Sequence, residues 1–393
     1  MSSLTTDQVR LSADPEWRAV MAAFALNGLL FGAWAARVPA FKDRFELEPG
    51  TLGLLLLALA GGAILSFPLA GALSEKWGAS RLTIRCAWAY GPALVLLAFA
   101  PSVWTLGLAL LIFGAIHGAM DVSMNGWGGR VEAQSGRSTM SVFHALFSLG
   151  AGLGAASGYI AVSKGLSLEM HYIFVARIGG VVGLAIMIPP SGRDQKANPT
   201  SEVPLIALPT GKLALVGLIA FSVSMGEGAM ADWSAVFLSL ALEVSDAQAA
   251  LGYAAFSVAM VATRLTGGHI TDRLGPVVTV RASGLIAAFG LIISITATTL
   301  PMALISFATI GVGYAVVMPL VFSRAASDPI VPSGPAIASV ATLGYGGMLL
   351  GPPIIGLVAQ LTGLSLSFII LVALALLAAA LSGQLRTERE SGR

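Results

Sequence analysis

The chain carries the stretch Gly71-Ala-Leu-Ser-Glu-Lys-Trp-Gly78, and a second version, Gly268-His-Ile-Thr-Asp-Arg-Leu-Gly275, begins 197 residues later. Since the chain has 393 residues, each half contains one copy at the same position. Both copies read Gly-x-aliphatic-x-acid-base-x-Gly, and both interrupt long apolar stretches. A repeat of this period is too long for a solenoid and fits a membrane protein built from two related six-helix halves.

Apolar residues dominate the composition and exclude most classes of soluble protein. Hydrophobic residues make up 56% of the chain and charged residues 11%, against roughly 25% charged residues in soluble domains. The net charge of +2 is too small to favour a nucleic-acid partner. One cysteine, Cys86, excludes an internal disulfide framework, and the polar N-terminus predicts no cleaved signal peptide.

The residue types that enzymes and metal sites require show no suitable spacing. The histidines, at positions 117, 144, 171 and 269, and the single cysteine do not match a metal-ligand pattern. No Gly-x-Ser-x-Gly stretch or phosphate-binding loop is present. We therefore expect no enzyme activity, no catalytic or metal-binding residues and no cofactor.

Apolar runs of about 20 residues predict an all-α integral membrane protein with twelve transmembrane helices in two pseudo-symmetric halves. The halves are a six-helix bundle at 1–190 and another at 212–393, joined by a polar linker at 191–211. The predicted spans are 17–40, 51–73, 82–100, 103–128, 139–163, 171–190, 212–240, 248–271, 278–299, 301–322, 335–360 and 365–385.

The distribution of basic residues predicts the orientation. If the N-terminus is cytoplasmic, sixteen lysines and arginines fall in cytoplasmic segments and helix ends, whereas the outer loops hold only Lys42, Arg44 and Lys164. Positive residues are enriched on the cytoplasmic side of membrane proteins. Both termini are therefore expected in the cytoplasm.

The duplicated stretch resembles the loop 2–3 signature of the major facilitator superfamily, G-x-L-x-D-[RK]-x-G-[RK]. Glu75 replaces the usual aspartate in the first copy and keeps its charge. The resemblance covers essentially the whole chain and implies a cytoplasmic gate motif; the alternative is two ordinary turns with solvated charges. Arg264 lies eight residues before Asp272 and is assigned to the same charge cluster. The gate residues are Gly71, Glu75, Lys76, Gly78, Arg264, Gly268, Asp272, Arg273 and Gly275.

Glycines in the fifth and eleventh predicted helices also repeat at this offset. Gly150 and Gly154 correspond to Gly347 and Gly351, and small residues at every fourth position predict close helix packing. Drug antiporters of the superfamily carry a Gly-Pro signature in helix five, where this chain has Gly154 followed by alanine. This departure weakens an efflux function without excluding it.

The fourth predicted helix contains His117, Asp121 and Asn125, which are spaced four residues apart and lie on one helix face. The repeat-related segment of the tenth helix carries no charge. A charged group inside a bilayer is costly unless it is paired or hydrated. Asp121 is therefore expected to face a cavity, with a structural pairing to Arg177 as the alternative.

The seventh predicted helix carries two more acids. Glu227 lies about fifteen residues, or roughly 22 Å, into the helix, and Asp232 lies nearer its outer end. The matching part of helix one has Asn27, and Trp34 aligns with Trp233. Glu227 is a candidate coupling acid, and the alternative is a supporting pair with another charge.

The acid-x-x-x-Asn pair of helix four resembles the fucose permease branch, in which that acid takes part in sugar and proton binding. Five segments look like an uncharacterised bacterial branch beside it: Ala33 to Pro39, His144 to Ser148, Glu227-Gly228, Asp232-Trp233, and Gly344-Tyr345 before Gly351-Pro352-Pro353. The permease has a second acid in helix one, where this chain has Asn27. Sugar transport therefore does not carry over directly, and Glu227 becomes the substitute acid.

Further candidates have two interpretations each. In the functional interpretation His144 binds solute or relays a proton, and in the structural interpretation it fills a packing position. Four aromatic side chains are expected either to stack on a sugar ring or to lie at the membrane interface or in the core: Trp34, Trp127, Trp233 and Tyr345. Arg37 and Asp232 reach a similar depth and are predicted to form an outer gate. The predicted solute- and proton-binding residues are Asp121, Asn125, Glu227, Asn27, His144, His117, Trp34, Trp233 and Tyr345.

These patterns predict a monomeric secondary transporter of the bacterial inner membrane that works by alternating access. Its expected partners are protons, a sugar or similar small polar solute, and the lipid bilayer. One alternative is a proton-coupled antiporter that exports amphipathic compounds. Another is a non-transporting membrane receptor on a transporter fold.

Overall fold

The structure, a computed structural model, describes residues 14–135, 140–188, 209–331 and 333–386, and all regular elements in these ranges are helical. Most of the expected linker at 191–211 and the last seven residues lie outside the described ranges. The α-helices are α1 (Pro15–Ala35), α2 (Val38–Arg44), α3 (Pro49–Trp77), α4 (Ala79–Ala98), α5 (Val103–Ser135), α6 (Met140–Ser163), α7 (Leu168–Met187), α8 (Lys212–Leu242), α9 (Asp246–Ala249), α10 (Leu251–Thr296), α11 (Leu300–Tyr314), α12 (Val317–Ala326), α13 (Ser333–Thr362), α14 (Leu364–Ser367) and α15 (Ile369–Leu381), and a 3₁₀ turn follows at Ser382–Leu385.

Ten helical segments in the described ranges are long and apolar enough to cross a membrane. Two differences separate this number from the twelve predicted spans. The predicted span 82–100 lies in α4, which contains Arg81 and Arg85 and is not among the ten. The predicted span 248–271 and most of the predicted span 278–299 belong to one continuous segment, Asp246–Thr296.

The duplicated stretch ends in the same backbone feature in both copies. Gly78 has φ +93° and precedes α4, and Gly275 has φ +74° at a non-helical position inside α10. Only glycine adopts such angles without strain from a Cβ atom. The final glycine of the repeated sequence is therefore required by a break in the helix at the same point of each repeat.

Two further breaks interrupt predicted spans near prolines. The chain leaves helical geometry between α1 and α2, ahead of Pro39, and again between α11 and α12, ahead of Pro319. Proline has no N–H to donate to the carbonyl four residues earlier. Pro319 therefore leaves the carbonyl of Ala315 without its helical hydrogen bond.

Contacts group the described residues into two compact units. The first lies within Met1–Trp34 and Ala58–Thr200, and the second within Ala35–Leu57 and Ser201–Arg393. Residues 35–57 thus group with the second unit, whereas the division drawn from the sequence assigns them to the first half.

In the first unit, α1 and α6 approach closely at the predicted glycines. Gly150 lies against the backbone of Ala25, and Gly154 lies against the backbone of Leu29. A Cβ atom at either glycine would overlap these backbone atoms. The glycines therefore allow the two helix backbones to touch.

The second unit repeats this arrangement between α8 and α13. Gly347 lies against the backbone of Phe221, and Gly351 lies against Met225. The same unit contains a tight crossing of the start of α3 with the end of α13. There Gly53 faces Pro352, and Gly356 faces Pro49, with no room for a side chain at either glycine.

Candidate functional site

The break between α11 and α12 creates a polar position inside the second unit. The Ala315 carbonyl accepts a hydrogen bond from Nε of Arg264, which lies on α10, with a distance of 3.2 Å. Because Pro319 cannot donate to this carbonyl, the guanidinium supplies the missing partner. Irregular backbone at membrane depth is typical of places where a protein lines a binding path.

The same guanidinium also reaches Glu227 on α8. Nη2 of Arg264 lies 3.5 Å from Oε2 of Glu227, and the two side chains are 12% and 27% exposed. The sequence grouped Arg264 with the cytoplasmic motif, but the structure pairs it with the candidate coupling acid. Arg264 therefore links three elements: α8, α10 and the end of α11.

One oxygen of Glu227 remains available. Oε1 of Glu227 and the hydroxyl of Tyr314 are buried and have no hydrogen-bond partner among the described residues. The Tyr314 ring packs against Gly226, where a Cβ atom would overlap it, and the Glu227 charge acts on its phenol. Tyr253, which is hydrogen-bonded to Ser257, also lies within electrostatic reach of Glu227. In this environment Oε1 of Glu227 is available to take up a proton or to accept a hydrogen bond from a hydroxyl group.

In the first unit, Asp121 and Asn125 lie together on α5. The Asn125 amide donates to the Asp121 carboxylate at 3.1 Å and to the Asp121 main-chain carbonyl at 2.8 Å. Both side chains are half-buried. Within the described ranges Asp121 forms no ion pair, so the alternative pairing with Arg177 is not observed.

His117 lies one turn before Asp121 and is held by aromatic residues. Its Nδ1 lies 2.8 Å from the Tyr90 hydroxyl on α4, and its ring stacks on Phe31 of α1 at 4.9 Å. These contacts fix the imidazole orientation. Tyr90 was not predicted, because nothing in the sequence indicates that positions 90 and 117 meet.

Asn27 is fully buried on α1, and neither side-chain polar atom has a hydrogen-bond partner in the described part of the chain. Phe24 and Phe31 lie on the same helix face, three residues before and four residues after Asn27. Phe24 contacts the His144 ring at 5.2 Å, whereas Phe31 contacts His117. Asn27 is thus placed between the positions that contact the two candidate histidines.

The candidate aromatic residues are divided between core and surface. Trp34 and Trp233 are fully buried, and Trp34 packs on Phe113. Trp127 donates its indole N–H to Glu16 at 2.9 Å. Tyr345 is exposed. The packing interpretation thus describes the positions of the three tryptophans.

The expected outer-gate pair is not formed in this structure. Arg37 and Asp232 both lie in the second unit and are 7% and 8% exposed, but neither forms an ion pair with any described residue. Nη1 of Arg37 is buried without a hydrogen-bond partner. The two ionisable side chains are therefore buried and are not paired with each other in this structure.

The duplicated motif presents its charges at the surface. Glu75, Lys76, Asp272 and Arg273 are exposed and form no ion pair in the described ranges. Near the first copy, the Arg85 guanidinium lies over the Trp77 ring at 4.1 Å. The described residues contain no cluster of three or more His, Cys, Asp or Glu side chains able to hold a metal ion.

The amino-acid sequence is similar to those of known membrane proteins. The family profile described as Major Facilitator Superfamily matches residues 19–329 and 218–393. An uncharacterized transporter of Sinorhizobium fredii, y4wD, is 43% identical over 371 residues, which cover 94% of this chain and 98% of the relative. An uncharacterized MFS-type transporter of Yersinia pestis is 38% identical over 88% of this chain and 89% of its own length. The membrane protein MosC of Rhizobium meliloti is 32% identical over 93% and 88%.

Solved structures of the nucleoside transporter NupG are similar in fold. A mutant of that transporter has a TM-score of 0.74 and 14% identity, covering 95% of this chain and 100% of that chain. A second NupG structure has a TM-score of 0.69 and 16% identity over the same shares. At this identity the likeness concerns the fold alone.

Proposed function

The chain belongs to the Major Facilitator Superfamily and is a multi-pass membrane transporter of that type, and we propose that it is a proton-coupled secondary transporter. It moves a sugar or similar small polar solute by alternating access across the bacterial inner membrane. Twelve membrane helices in two halves, with both termini cytoplasmic and a monomeric chain, complete the proposal.

The contact between Glu227 and Arg264 is the observation that carries this proposal. A carboxylate inside the membrane couples transport to protons when it alternates between a charged, paired state and a neutral, unpaired state. Glu227 has one oxygen 3.5 Å from a guanidinium and a second oxygen without a partner. It is therefore suited to receive a proton without prior loss of another hydrogen bond.

Protonation of Glu227 weakens the attraction that joins α8 to α10. Arg264 retains the Ala315 carbonyl as its second partner, so the guanidinium is not left without a hydrogen bond. The change in charge thus becomes a change in helix packing, which is the kind of step that alternating access requires. Asp121, half-buried beside Asn125, is the second candidate acid.

Neutral polar groups of the first unit support the proposed solute class. The side chains of Asn27, Asn125 and His144 combine hydrogen-bond donors and acceptors. Such groups match the hydroxyls of a sugar-like solute better than an amphipathic cation. The missing proline after Gly154 is consistent with this choice.

A binding screen followed by transport measurements tests the proposal. Thermal unfolding of the purified protein is measured with sugars, nucleosides and amphipathic drugs, and the best ligand is then tested in proteoliposomes. We expect accumulation driven by an inward proton gradient, with acidification of the lumen. Binding without transport would assign the chain to receptors, and proton-driven export of an amphipathic compound would assign it to antiporters.

A further inference from the structure

A cavity of about 500 Å³ opens at one end of the second unit. It lies where α8 begins, where α12 ends and where the 3₁₀ turn after α15 ends. Its lining includes the three cations Lys212, Arg324 and Arg386 and the single acid Asp328. The site therefore carries an excess of positive charge.

The acid is already occupied by bonds within the protein. Oδ2 of Asp328 lies 3.2 Å from Nη1 of Arg324, and its Oδ1 accepts the N–H groups of Ile330 and Val331 at 3.1 Å. Arg324 is buried and donates from Nε to the Gln384 carbonyl at 3.2 Å. Arg324 and Asp328 thus form a neutral inner wall that is held rigidly.

The two remaining cations face the opening. Lys212 and Arg386 are exposed, and neither forms an ion pair within the described ranges. The first turn of α8 adds backbone N–H groups, because Gly211 precedes it with no side-chain cap. These N–H groups and the helix dipole favour negative charge at the same position.

An apolar side chain lies at the rim. Ile330 lines the cavity and is 89% exposed. A lone isoleucine at this exposure is favourable next to acyl chains and unfavourable in water. The combination of unpaired cations, N–H groups and an apolar rim matches an amphipathic anion.

We propose that this cavity binds the phosphate-bearing headgroup of an anionic phospholipid, with Lys212 and Arg386 on the phosphate and Ile330 beside the acyl chain. Basic pockets between membrane helices on the cytoplasmic side bind such headgroups in other membrane proteins. The choice of leaflet rests on the proposed orientation. The binding itself is independent of the solute and of proton coupling.

Native mass spectrometry of the full-length protein in mild detergent tests the proposal. Phosphatidylglycerol, cardiolipin, phosphatidylcholine and inorganic phosphate are each titrated as probes. The variant Lys212→Gln/Arg386→Gln is compared with Arg18→Gln/Lys76→Gln, which removes two exposed cations from the first unit. Thermal unfolding of both variants verifies that they are folded.

We expect the wild type to bind one anionic lipid in preference to phosphatidylcholine. The cavity variant should bind it roughly 30-fold more weakly, which corresponds to about 2 kcal/mol of binding free energy. Each basic residue near an anionic lipid contributes about 1 kcal/mol, and the variant removes two of them. The control variant should retain the affinity. Equal losses in both variants would overturn the site in favour of general surface attraction. Binding of inorganic phosphate without lipid binding would overturn the headgroup assignment in favour of a soluble phosphate compound.

Discussion

Arg264 holds the carboxylate of Glu227 at 3.5 Å and the carbonyl of Ala315 at 3.2 Å with the same guanidinium. The second contact exists because Pro319 cannot complete the helical hydrogen bond to Ala315. Pro319 therefore leaves the Ala315 carbonyl free to accept a hydrogen bond from Arg264. With this second contact, Arg264 keeps a partner when its contact with Glu227 is broken. This relationship generates the first two predictions.

The stability of the pair is tested by a double-mutant cycle. Arg264→Met leaves Glu227 mostly buried and without its cation, so the free energy of unfolding should fall by about 3 kcal/mol. Adding Glu227→Gln should restore most of this loss, because no charge then remains unpaired. Thermal and denaturant unfolding in detergent measure both effects. Arg273→Met on the same helix is exposed and unpaired, and should change stability by less than about 0.5 kcal/mol. Equal loss in the single and double variants would contradict the coupling.

Coupling to protons is tested by neutral replacements. Asp121→Asn and Glu227→Gln should each impair proton-driven accumulation of the solute, because neither side chain then exchanges a proton. At least one variant should retain exchange of solute between the two sides of the membrane. Glu243→Gln, an exposed position just after α8, is the matched control and should transport normally. Accumulation at wild-type levels in both test variants would remove these acids from the coupling mechanism.

The tight crossing of α3 and α13 predicts which glycine substitution loosens the second unit. A Cβ atom at Gly53 would lie 2.9 Å from the Pro352 carbonyl oxygen, whereas at Gly61 on the same helix it would meet no atom within 4 Å. Gly53→Ala should therefore increase maleimide labelling of a cysteine at the buried position Ala36 several-fold, in a Cys86→Ser background. Gly61→Ala should leave labelling unchanged. Identical labelling in the two variants would contradict the idea that this crossing keeps position 36 inaccessible to the reagent.

The buried charges Arg37 and Asp232 are tested with the same cysteine. Although they are unpaired in this structure, we propose that they pair during the transport cycle, since an uncompensated buried charge is unfavourable. Arg37→Ala or Asp232→Ala should then increase labelling, and the exchanged variant Arg37→Asp/Asp232→Arg should partly reverse it. An increase that the exchange does not reverse would assign the two residues to independent packing roles.

Asp328 predicts a pH dependence of stability. Partial burial alone would raise the pKa of its carboxyl, but the N–H groups of Val331 and Ile330 and the Arg324 guanidinium lower it overall. Because the folded-state pKa lies below the unfolded value of about 4, the ionised carboxyl stabilises the folded protein at pH values above the unfolded pKa. This stabilisation is lost as the pH falls through the folded-state pKa. Asp328→Asn should therefore lower the melting temperature at pH 7, and the difference should shrink below about pH 4. Asp272→Asn, an exposed carboxylate without an ion pair, serves as control. A difference that is constant with pH would refute the assignment.

Local chemistry explains what could be predicted about the fold. The apolar runs predicted helices that the structure contains, and the duplicated motif located the two glycines with positive φ, Gly78 and Gly275. Both features depend on residues that are close in the chain. These local patterns did not determine the number of membrane spans. The helix α4 is less apolar than the other predicted spans, and the helix around Gly275 continues on both sides of a single non-helical residue.

The candidate site needed contacts that no local pattern contains. The eight-residue spacing to Asp272 suggested a surface role for Arg264, yet its partners are Glu227, 37 residues earlier, and Ala315, 51 residues later. Tyr90 and His117 likewise meet from different helices. By itself the sequence determined the membrane-embedded helical class, the duplication and which acids lie in apolar segments, because composition and short-range spacing decide these. Only the tertiary structure decided which charges are paired, because the rotation and crossing of each helix depend on how the glycines and side chains of several helices pack together.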